Sequence, residues 1–280
     1  MSALGGAAGG AEGFSSPVGL IGGIILLILS FVLAFYFGAM ATVWILLGVV
    51  IGGVLIGFGV HFVPVGGAPA AMGQAPGIAT GVAMLAAGAG LAGLFGGAWA
   101  AELGLGLALA GGAIGGALMM AITCMMVNVI YVFGMGIPAA SGKVAKDPIT
   151  GDTFPEYKSQ GSEGHGLPFI SYVGGVIGGF FAGLGGSLIY LMLLDIYEQT
   201  LPDILGASAE SIVPLAVSLA GIFAIGMFLV NAVLSAYNIT GTIEGPHDPK
   251  FRRVPRAMIA SAVASAVCGI IAIMIIFVGV

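Results

Sequence analysis

Apolar residues run along the chain in long blocks, and polar residues are confined to the breaks between them. The blocks cover residues 18–37, 41–60, 77–100, 104–136, 167–194, 212–236 and 257–279. Each is about 20 residues or longer, which is enough for a helix to cross the hydrocarbon core of a bilayer. The pattern predicts an all-α fold, a polytopic transmembrane helix bundle.

The two ends of the first block have different surroundings. Before it, residues 1–17 are rich in Gly, Ala and Ser and contain no Lys or Arg, which is typical of a mobile tail and not of a secretory signal. After it, only Gly38 to Met40 separate the first block from the second, so a turn between these two spans must be tight. Residues 18–280 are therefore predicted to form a single transmembrane domain.

The composition excludes a soluble domain. Hydrophobic residues make up 59% of the chain and charged residues 7%, whereas a soluble domain carries about 25% charged residues.

Glycine is abundant, with 51 residues, and glycines four residues apart let membrane helices approach closely. We predict such a helix contact at Gly174, Gly178, Gly175 and Gly179; the alternative is that glycine only lowers side-chain volume.

All basic residues lie in two of the breaks between the apolar blocks. They are Lys143, Lys146 and Lys158 in one break, and Lys250, Arg252, Arg253 and Arg256 in the other. Loops rich in Lys and Arg stay in the cytoplasm. Both loops are therefore predicted to be cytoplasmic, and the acidic loop 195–211 is predicted to face outside.

By alternation of the spans, the loop 61–76 is also predicted to be cytoplasmic, and each of the three cytoplasmic loops contains one histidine. The polar candidates of these loops for a partner surface or an ion entrance are His61, Glu163, His165, Glu244, His247 and Asp248. Two other interpretations stay open, namely that these groups cap helix ends, or that the three imidazoles bind zinc. The histidines come from separate loops without a local ligand spacing, so the sequence does not establish a metal site.

Few polar residues lie inside the predicted spans. Asn128, Thr123 and Asn231 are the candidates for an ion path, with hydrogen bonding between helices as the alternative. No carboxylate lies in the middle third of any span, although a membrane ion site usually requires an ionisable group or unwound backbone there. The chain shows no phosphate-binding loop and no catalytic triad, so we predict no catalytic residue.

Five strings in the breaks carry a resemblance to a known family. They are HFVPVGGAPAAM (61–72), IYVFG (130–134), KVAKDPITG (143–151), EGHGLP (163–168) and GTIEGPHDPKFRR (241–253). In this order, from about residue 48 onward, the chain resembles the D-subunit family of the tetrahydromethanopterin S-methyltransferase complex of methane-metabolising archaea. That family has six helices, so the resemblance implies six spans of family type and an extra span within residues 1–40.

The resemblance implies a function that composition and spacing do not show. The complex moves a methyl group from methyl-tetrahydromethanopterin, through a corrinoid on a partner subunit, to coenzyme M, and the reaction drives sodium ions across the cell membrane of an anaerobic archaeon. The chain would contact other membrane and corrinoid subunits and membrane lipid, but no nucleic acid. It would bind no cofactor alone, apart from sodium as a candidate ion.

Three functions follow as hypotheses. The first is a subunit without its own active site that contributes to the sodium path and the scaffold. The second is a purely structural membrane subunit that never contacts sodium. The third, a stand-alone secondary transporter, is disfavoured because the spans offer no charged site near the bilayer midplane.

The predicted topology is tested by labelling. Cysteines introduced at Lys158 and Asp203 should react with a membrane-impermeant thiol reagent from opposite sides of the membrane, because the positive-inside rule places Lys158 in the cytoplasm. Labelling of both positions from the same side would contradict the topology.

Overall fold

The structure is a computed structural model that describes residues 17–63, 88–133, 169–239, 251 and 253–278. Within these residues the regular structure is helical and no strand occurs, which confirms the predicted all-α class. Five helices in the described part are long and apolar enough to cross a membrane. The tail at residues 1–16 lies outside the described residues.

The helices follow the apolar blocks of the sequence. They are α1 (Pro17–Val60), α2 (residues 88–99), a short 3₁₀ helix (Ala101–Leu103), α3 (Leu105–Phe133), α4 (Phe169–Leu205), α5 (Ala209–Ile239) and α6 (Val254–Val278). The first two blocks, 18–37 and 41–60, both lie in α1. The first part of the block 77–100 lies outside the described residues.

Helix α1 is broken in the middle, where the sequence requires a tight turn. Gly38 and Ala39 have non-helical backbone angles, and Ala39 has a positive φ of 54° with ψ −143°. This conformation is unusual for a residue with a side chain. The Thr42 hydroxyl donates hydrogen bonds to the carbonyl oxygens of Ala34 and Ala39, and so ties the two sides of the break together.

The break reverses the direction of the chain and gives α1 a first arm (residues 17–37) and a second arm (residues 40–60). In the first arm Gly23 lies beside Val263, and the ring of Phe37 stacks on that of Phe277 at 5.8 Å between centroids. The first arm therefore runs in the same direction as α6. The second arm runs in the opposite direction, since its contacts with α6 step backward along that helix: Leu46 with Gly269, Gly53 with Ser265 and Gly57 with Ser261.

Helix α4 extends farther than the apolar pattern indicates, because residues 195–205 of the predicted outer loop are helical. Along this extension Ile196, Tyr197 and Leu201 are buried while Asp195 and Glu198 are exposed. The helical period thus places the carboxylates on the solvent side and the apolar residues against the bundle. Pure apolar runs miss such an amphipathic end.

The connection from α4 to α5 consists of residues 206–208. Gly206 has a positive φ of 60°, and the Ala207 N–H donates to the Pro202 carbonyl oxygen at 3.1 Å. This is the Schellman arrangement that ends a helix with glycine in the left-handed conformation. The predicted outer loop is therefore much shorter than residues 195–211.

Helix α4 packs against α1, α3 and α5. Two glycine faces form its contacts with α1 and α3. Its first face meets the second arm of α1, where a Cβ on Gly178 would lie 2.6 Å from the carbonyl oxygen of Gly59. The second face meets α3, where a Cβ on Gly183 would lie 3.0 Å from the Cα of Gly116. A methyl group at either position overlaps backbone that cannot move aside, so glycine sets the distance between these helices.

We predict that Gly178→Ala destabilises the bundle by about 1–3 kcal/mol, because its methyl group overlaps the backbone of Gly59. The matched control is Gly226→Ala in α5, where nothing lies within 4 Å of the added Cβ. This control should keep or slightly raise stability, since alanine favours a helix by about 1 kcal/mol over glycine. Thermal unfolding in detergent compares the two variants, and equal midpoints would contradict the predicted backbone contact.

Candidate functional site

Polar side chains gather where the second arm of α1, α5 and α6 meet. Five of them are fully buried, and a sixth, Asn238, is half-buried beside them. We call this set the polar track; its members are Asn231, Ser235 and Asn238 of α5, Ser261 and Ser265 of α6, and His61 directly after α1. The helices around it are otherwise packed with alanine, glycine and large apolar side chains.

The deepest level of the polar track joins Asn231 to Ser265. The Asn231 Nδ2 group donates to the Met227 carbonyl oxygen at 2.8 Å and to Ser265 Oγ at 2.8 Å. Ser265 is 11 positions after the first residue of the 25-residue helix α6, close to its midpoint. Both side chains face Gly53, where a Cβ would lie 2.9 Å from Asn231 Nδ2 and would overlap Ser265.

The middle level lies one helical turn away and contains two serines. Ser235 and Ser261 face each other beside Gly57, where a Cβ would lie 3.1 Å from Ser235 Oγ and would overlap Ser261 Oγ. Glycine at position 57 therefore leaves room for the Ser261 hydroxyl group and for the approach of Ser235.

The last level closes the polar track at the end of the bundle that carries Arg253 and Arg256. His61 Nδ1 lies 2.7 Å from the Gly57 carbonyl oxygen, and Nε2 lies 3.1 Å from Asn238 Nδ2. The Asn238 amide also donates to the Arg253 carbonyl oxygen at 3.0 Å, and Arg253 Nη1 donates to the Asn238 carbonyl oxygen at 2.9 Å.

These two hydrogen bonds fit one tautomer of His61. A carbonyl oxygen only accepts, so Nδ1 carries the hydrogen that reaches Gly57. Nε2 then accepts from the Asn238 amide, which is the arrangement of a neutral imidazole. Arg253 in turn bonds one of the last carbonyl oxygens of α5, where a helix has no partner of its own and favours a positive charge.

Helical spacing explains why the six side chains share one seam. Gly53, Gly57 and His61 follow at steps of four along α1, which keeps them on one face. With a rise of about 1.5 Å per residue, the seam from Gly53 to His61 is about 12 Å long. It therefore leads from the basic end of the bundle to the middle of α6.

Several oxygens of the polar track lack a hydrogen-bond partner within the described part of the chain. They are Asn231 Oδ1, Ser235 Oγ and Ser261 Oγ, all buried. A buried polar atom without a partner costs about 1–3 kcal/mol, so such atoms are uncommon in native proteins. Their concentration in one seam marks it as the strongest candidate site among the described residues.

The described carboxylates lie at the other end of the bundle. Glu102, Asp195, Glu198, Asp203 and Glu210 are all exposed there, around the connections between α2 and α3 and between α4 and α5. No group of three or more His, Cys, Asp or Glu residues that suits a metal occurs in the described ranges. His165 and His247, the other imidazoles of the zinc hypothesis, lie outside those ranges.

The predicted site residues are distributed over the bundle. Asn231 and His61 lie in the polar track, whereas Thr123 is in α3 and donates to the Met119 carbonyl oxygen of its own helix at 2.8 Å. A Cβ on Gly178 or Gly179 would meet the backbone of a neighbouring helix, one on Gly174 would meet Phe62 in the turn after α1, and Gly175 is buried. The side chain of Asn128, together with Glu163, His165, Glu244, His247 and Asp248, lies outside the described residues.

Four members of the polar track were not among the site residues predicted from the sequence, namely Ser235, Asn238, Ser261 and Ser265. A signal for them exists, because Asn231 and Ser235 are four residues apart in an apolar span, and so are Ser261 and Ser265. Polar residues at this spacing lie on one face of a helix. Pairing such faces between spans would have predicted the seam.

The chain matches the family model MtrD, which describes the D subunit of tetrahydromethanopterin S-methyltransferase, over residues 42–265. It is 49% identical over 233 residues to the D subunit of this enzyme from Methanosarcina barkeri, covering 82% of the chain and 93% of the relative. The protein of the same name from Methanothermobacter marburgensis is 49% identical over 229 residues, with 82% and 94% covered. For Methanocaldococcus jannaschii the identity is 42% over 237 residues, with 82% and 96% covered.

The polar track thus lies within the part of the chain that the family shares. The first arm of α1 precedes the match, which begins at residue 42, directly after the turn.

We predict that His61 and Asn238 are energetically coupled. His61→Ala and Asn238→Ala should each destabilise the chain, and the double variant should cost about 1 kcal/mol less than the sum, because both single changes break the same bond. The free energy of unfolding in detergent provides the measurement. As a control, His61→Ala combined with Ser218→Ala, an exposed serine of α5, should be additive, and additivity in the first pair would contradict the bond.

Proposed function

The chain belongs to the D-subunit family of tetrahydromethanopterin S-methyltransferase, and we propose that it is an integral membrane subunit of that methyltransferase complex in the cell membrane of an anaerobic archaeon. In this proposal the complex transfers a methyl group from methyl-tetrahydromethanopterin, through a corrinoid on a partner subunit, to coenzyme M. Methyl transfer is coupled to sodium translocation, and this subunit contributes part of the sodium path and of the scaffold.

One observation carries the role in ion transport, namely the polar track inside an otherwise apolar bundle. Hard cations prefer oxygen ligands, and hydroxyl and amide oxygens are the ligands that Asn231, Ser235 and Ser261 offer. Polar groups in a membrane bundle are expensive and commonly mark the path of an ion or substrate. A purely structural subunit gains nothing from buried oxygens without partners.

The position of the polar track supports entry from the cytoplasm. The track begins beside Arg253, which belongs to one of the loops predicted to be cytoplasmic. It ends near the midpoint of α6 at Ser265, beyond which the side chains of Leu46 and Val49 face Gly269 of α6. The track therefore suits the inner half of a path, and the outer half must use other surfaces.

A charged ligand for sodium has to come from elsewhere in the complex. The carboxylates of the described helices are exposed at the opposite end of the bundle, so they lie far from Asn231. The proposal therefore assigns neutral ligands to this subunit and a carboxylate, at another point of the sodium path, to a neighbouring membrane subunit. Glu163, His165, Glu244, His247 and Asp248 remain candidates for contact with partners at the cytoplasmic surface.

The proposal is tested in vesicles that contain the complex. Asn231→Leu should lower sodium uptake per methyl group transferred at least about fivefold, since losing the amide removes about 1 kcal/mol or more of ion binding. Methyl transfer to free corrinoid should change little, and Asn128→Leu should behave in the same way.

Ser218→Ala is the control, because its hydroxyl bonds the Pro214 carbonyl oxygen on the exposed side of α5. It should keep the normal ratio of sodium uptake to methyl transfer. A normal ratio in both asparagine variants would favour the structural subunit instead. A chain that purifies in mild detergent without a corrinoid protein would refute membership in the complex.

A further inference from the structure

We propose that the inner part of the polar track is a binding site for a small monovalent cation, built from the neutral oxygens Asn231 Oδ1, Ser235 Oγ and Ser261 Oγ. The inference rests on the proposed function and specifies it, since it names the ligands and places them between helices of this one chain. It differs from a path that runs only along the interface between subunits.

The orientation of the Asn231 amide follows from its partners. Its nitrogen must face the Met227 carbonyl oxygen, because two oxygen acceptors cannot share a hydrogen bond without a donor. The same nitrogen donates to Ser265 Oγ. The amide oxygen therefore points away from both, as a buried acceptor to which no described residue donates a hydrogen bond.

The two serines differ from other hydroxyl residues in the bundle. A serine or threonine in a membrane helix commonly bonds the carbonyl oxygen four residues earlier. In the described residues this holds for Ser30, Thr123, Ser187 and Ser218, at 2.7–2.8 Å. Ser235 and Ser261 make no such bond, so their hydroxyl groups remain available for a ligand.

Glycine at position 57 brings the two serine oxygens against the backbone of α1. A Cβ at this position would lie 3.1 Å from Ser235 Oγ and would overlap Ser261 Oγ. Any larger residue would therefore displace these hydroxyl groups, and the close approach of α1, α5 and α6 admits only a small ligand. The seam thus combines buried oxygens that lack partners with close helix packing.

The neutral ligands determine which ion fits. Divalent calcium and magnesium are usually held by carboxylates, and none of the carboxylates in the described helices reaches this seam. Removing a divalent ion from water costs far more than removing a monovalent one, so neutral oxygens favour a single charge. Among monovalent ions, the narrow seam at Gly53 and Gly57 favours sodium or lithium over potassium.

The test compares two sets of serine variants in the whole purified complex. The double variant Ser235→Ala with Ser261→Ala should weaken the apparent affinity for sodium about tenfold, which corresponds to about 1.4 kcal/mol. The maximal rate of methyl transfer is recorded in the same titration, so that a change in sodium affinity is distinguished from a general loss of activity. The matched control is Ser187→Ala, an equally buried serine whose hydroxyl bonds the Gly183 carbonyl oxygen, and it should leave the sodium affinity unchanged.

Thermal stability gives a second readout that does not depend on activity. Sodium chloride should raise the unfolding midpoint of the unaltered complex more than potassium chloride does, because a ligand that binds the folded state stabilises it. The double variant should lose this difference. In potassium its midpoint should equal or exceed that of the unaltered complex, since it removes two buried oxygens without partners. A purely structural role for the serines predicts a lower midpoint in both salts.

The outcomes separate this inference from the function on which it rests. If the double variant keeps its sodium affinity and its sodium-specific stabilisation while the complex still pumps sodium, the path is elsewhere and the site is refuted. If the unaltered complex transfers methyl groups without moving sodium, the proposed function itself fails. If potassium and sodium stabilise the unaltered complex equally, the seam has no preference for the smaller ion and the inference falls.

Discussion

Close approach of helix backbones is the constraint on which this bundle depends. Lipid chains are as apolar as leucine, so helices in a membrane gain little from burying large side chains and associate through tight packing and polar contacts. In α4, Gly178 and Gly183 bring two neighbouring helices to within backbone contact on two sides. The positions of α1 and α3, and hence the seam between α1, α5 and α6, follow from these contacts.

The same device serves a second purpose along the second arm of α1. There Gly53 and Gly57 face serine and asparagine side chains of α5 and α6, whereas the glycine faces of α4 meet the backbone of neighbouring helices. The missing side chains make room for polar groups in the interior of the bundle. Both the helix packing and the candidate site therefore depend on glycine. In α4 glycine faces the backbone of neighbouring helices, and in the second arm of α1 it faces polar side chains.

The sequence predicts the helices well because the apolar blocks are long and their breaks are polar. The turn at Gly38 to Met40 and the glycine contacts of α4 follow from local spacing alone. The extension of α4 to Leu205 does not, since Asp195 and Glu198 interrupt the apolar run although they lie on the exposed side of the helix. Helical periodicity, and not apolar length, defines that end.

The polar track was predictable only in part, because a site between helices depends on which faces meet. Asn231 is an evident candidate, because it is an amide in an apolar span. A serine in such a span usually bonds its own helix, so Ser235 and Ser261 become candidates only when the structure shows them beside Gly57 without such a bond.

An arrangement of neutral oxygens also has a mechanistic consequence. If the polar track carries sodium as proposed, its ligands do not change charge, so methyl transfer would have to control ion release from outside the seam. The bonds among His61, Asn238 and Arg253 close the end of the track that is predicted to face the cytoplasm, where a partner subunit could transmit that control.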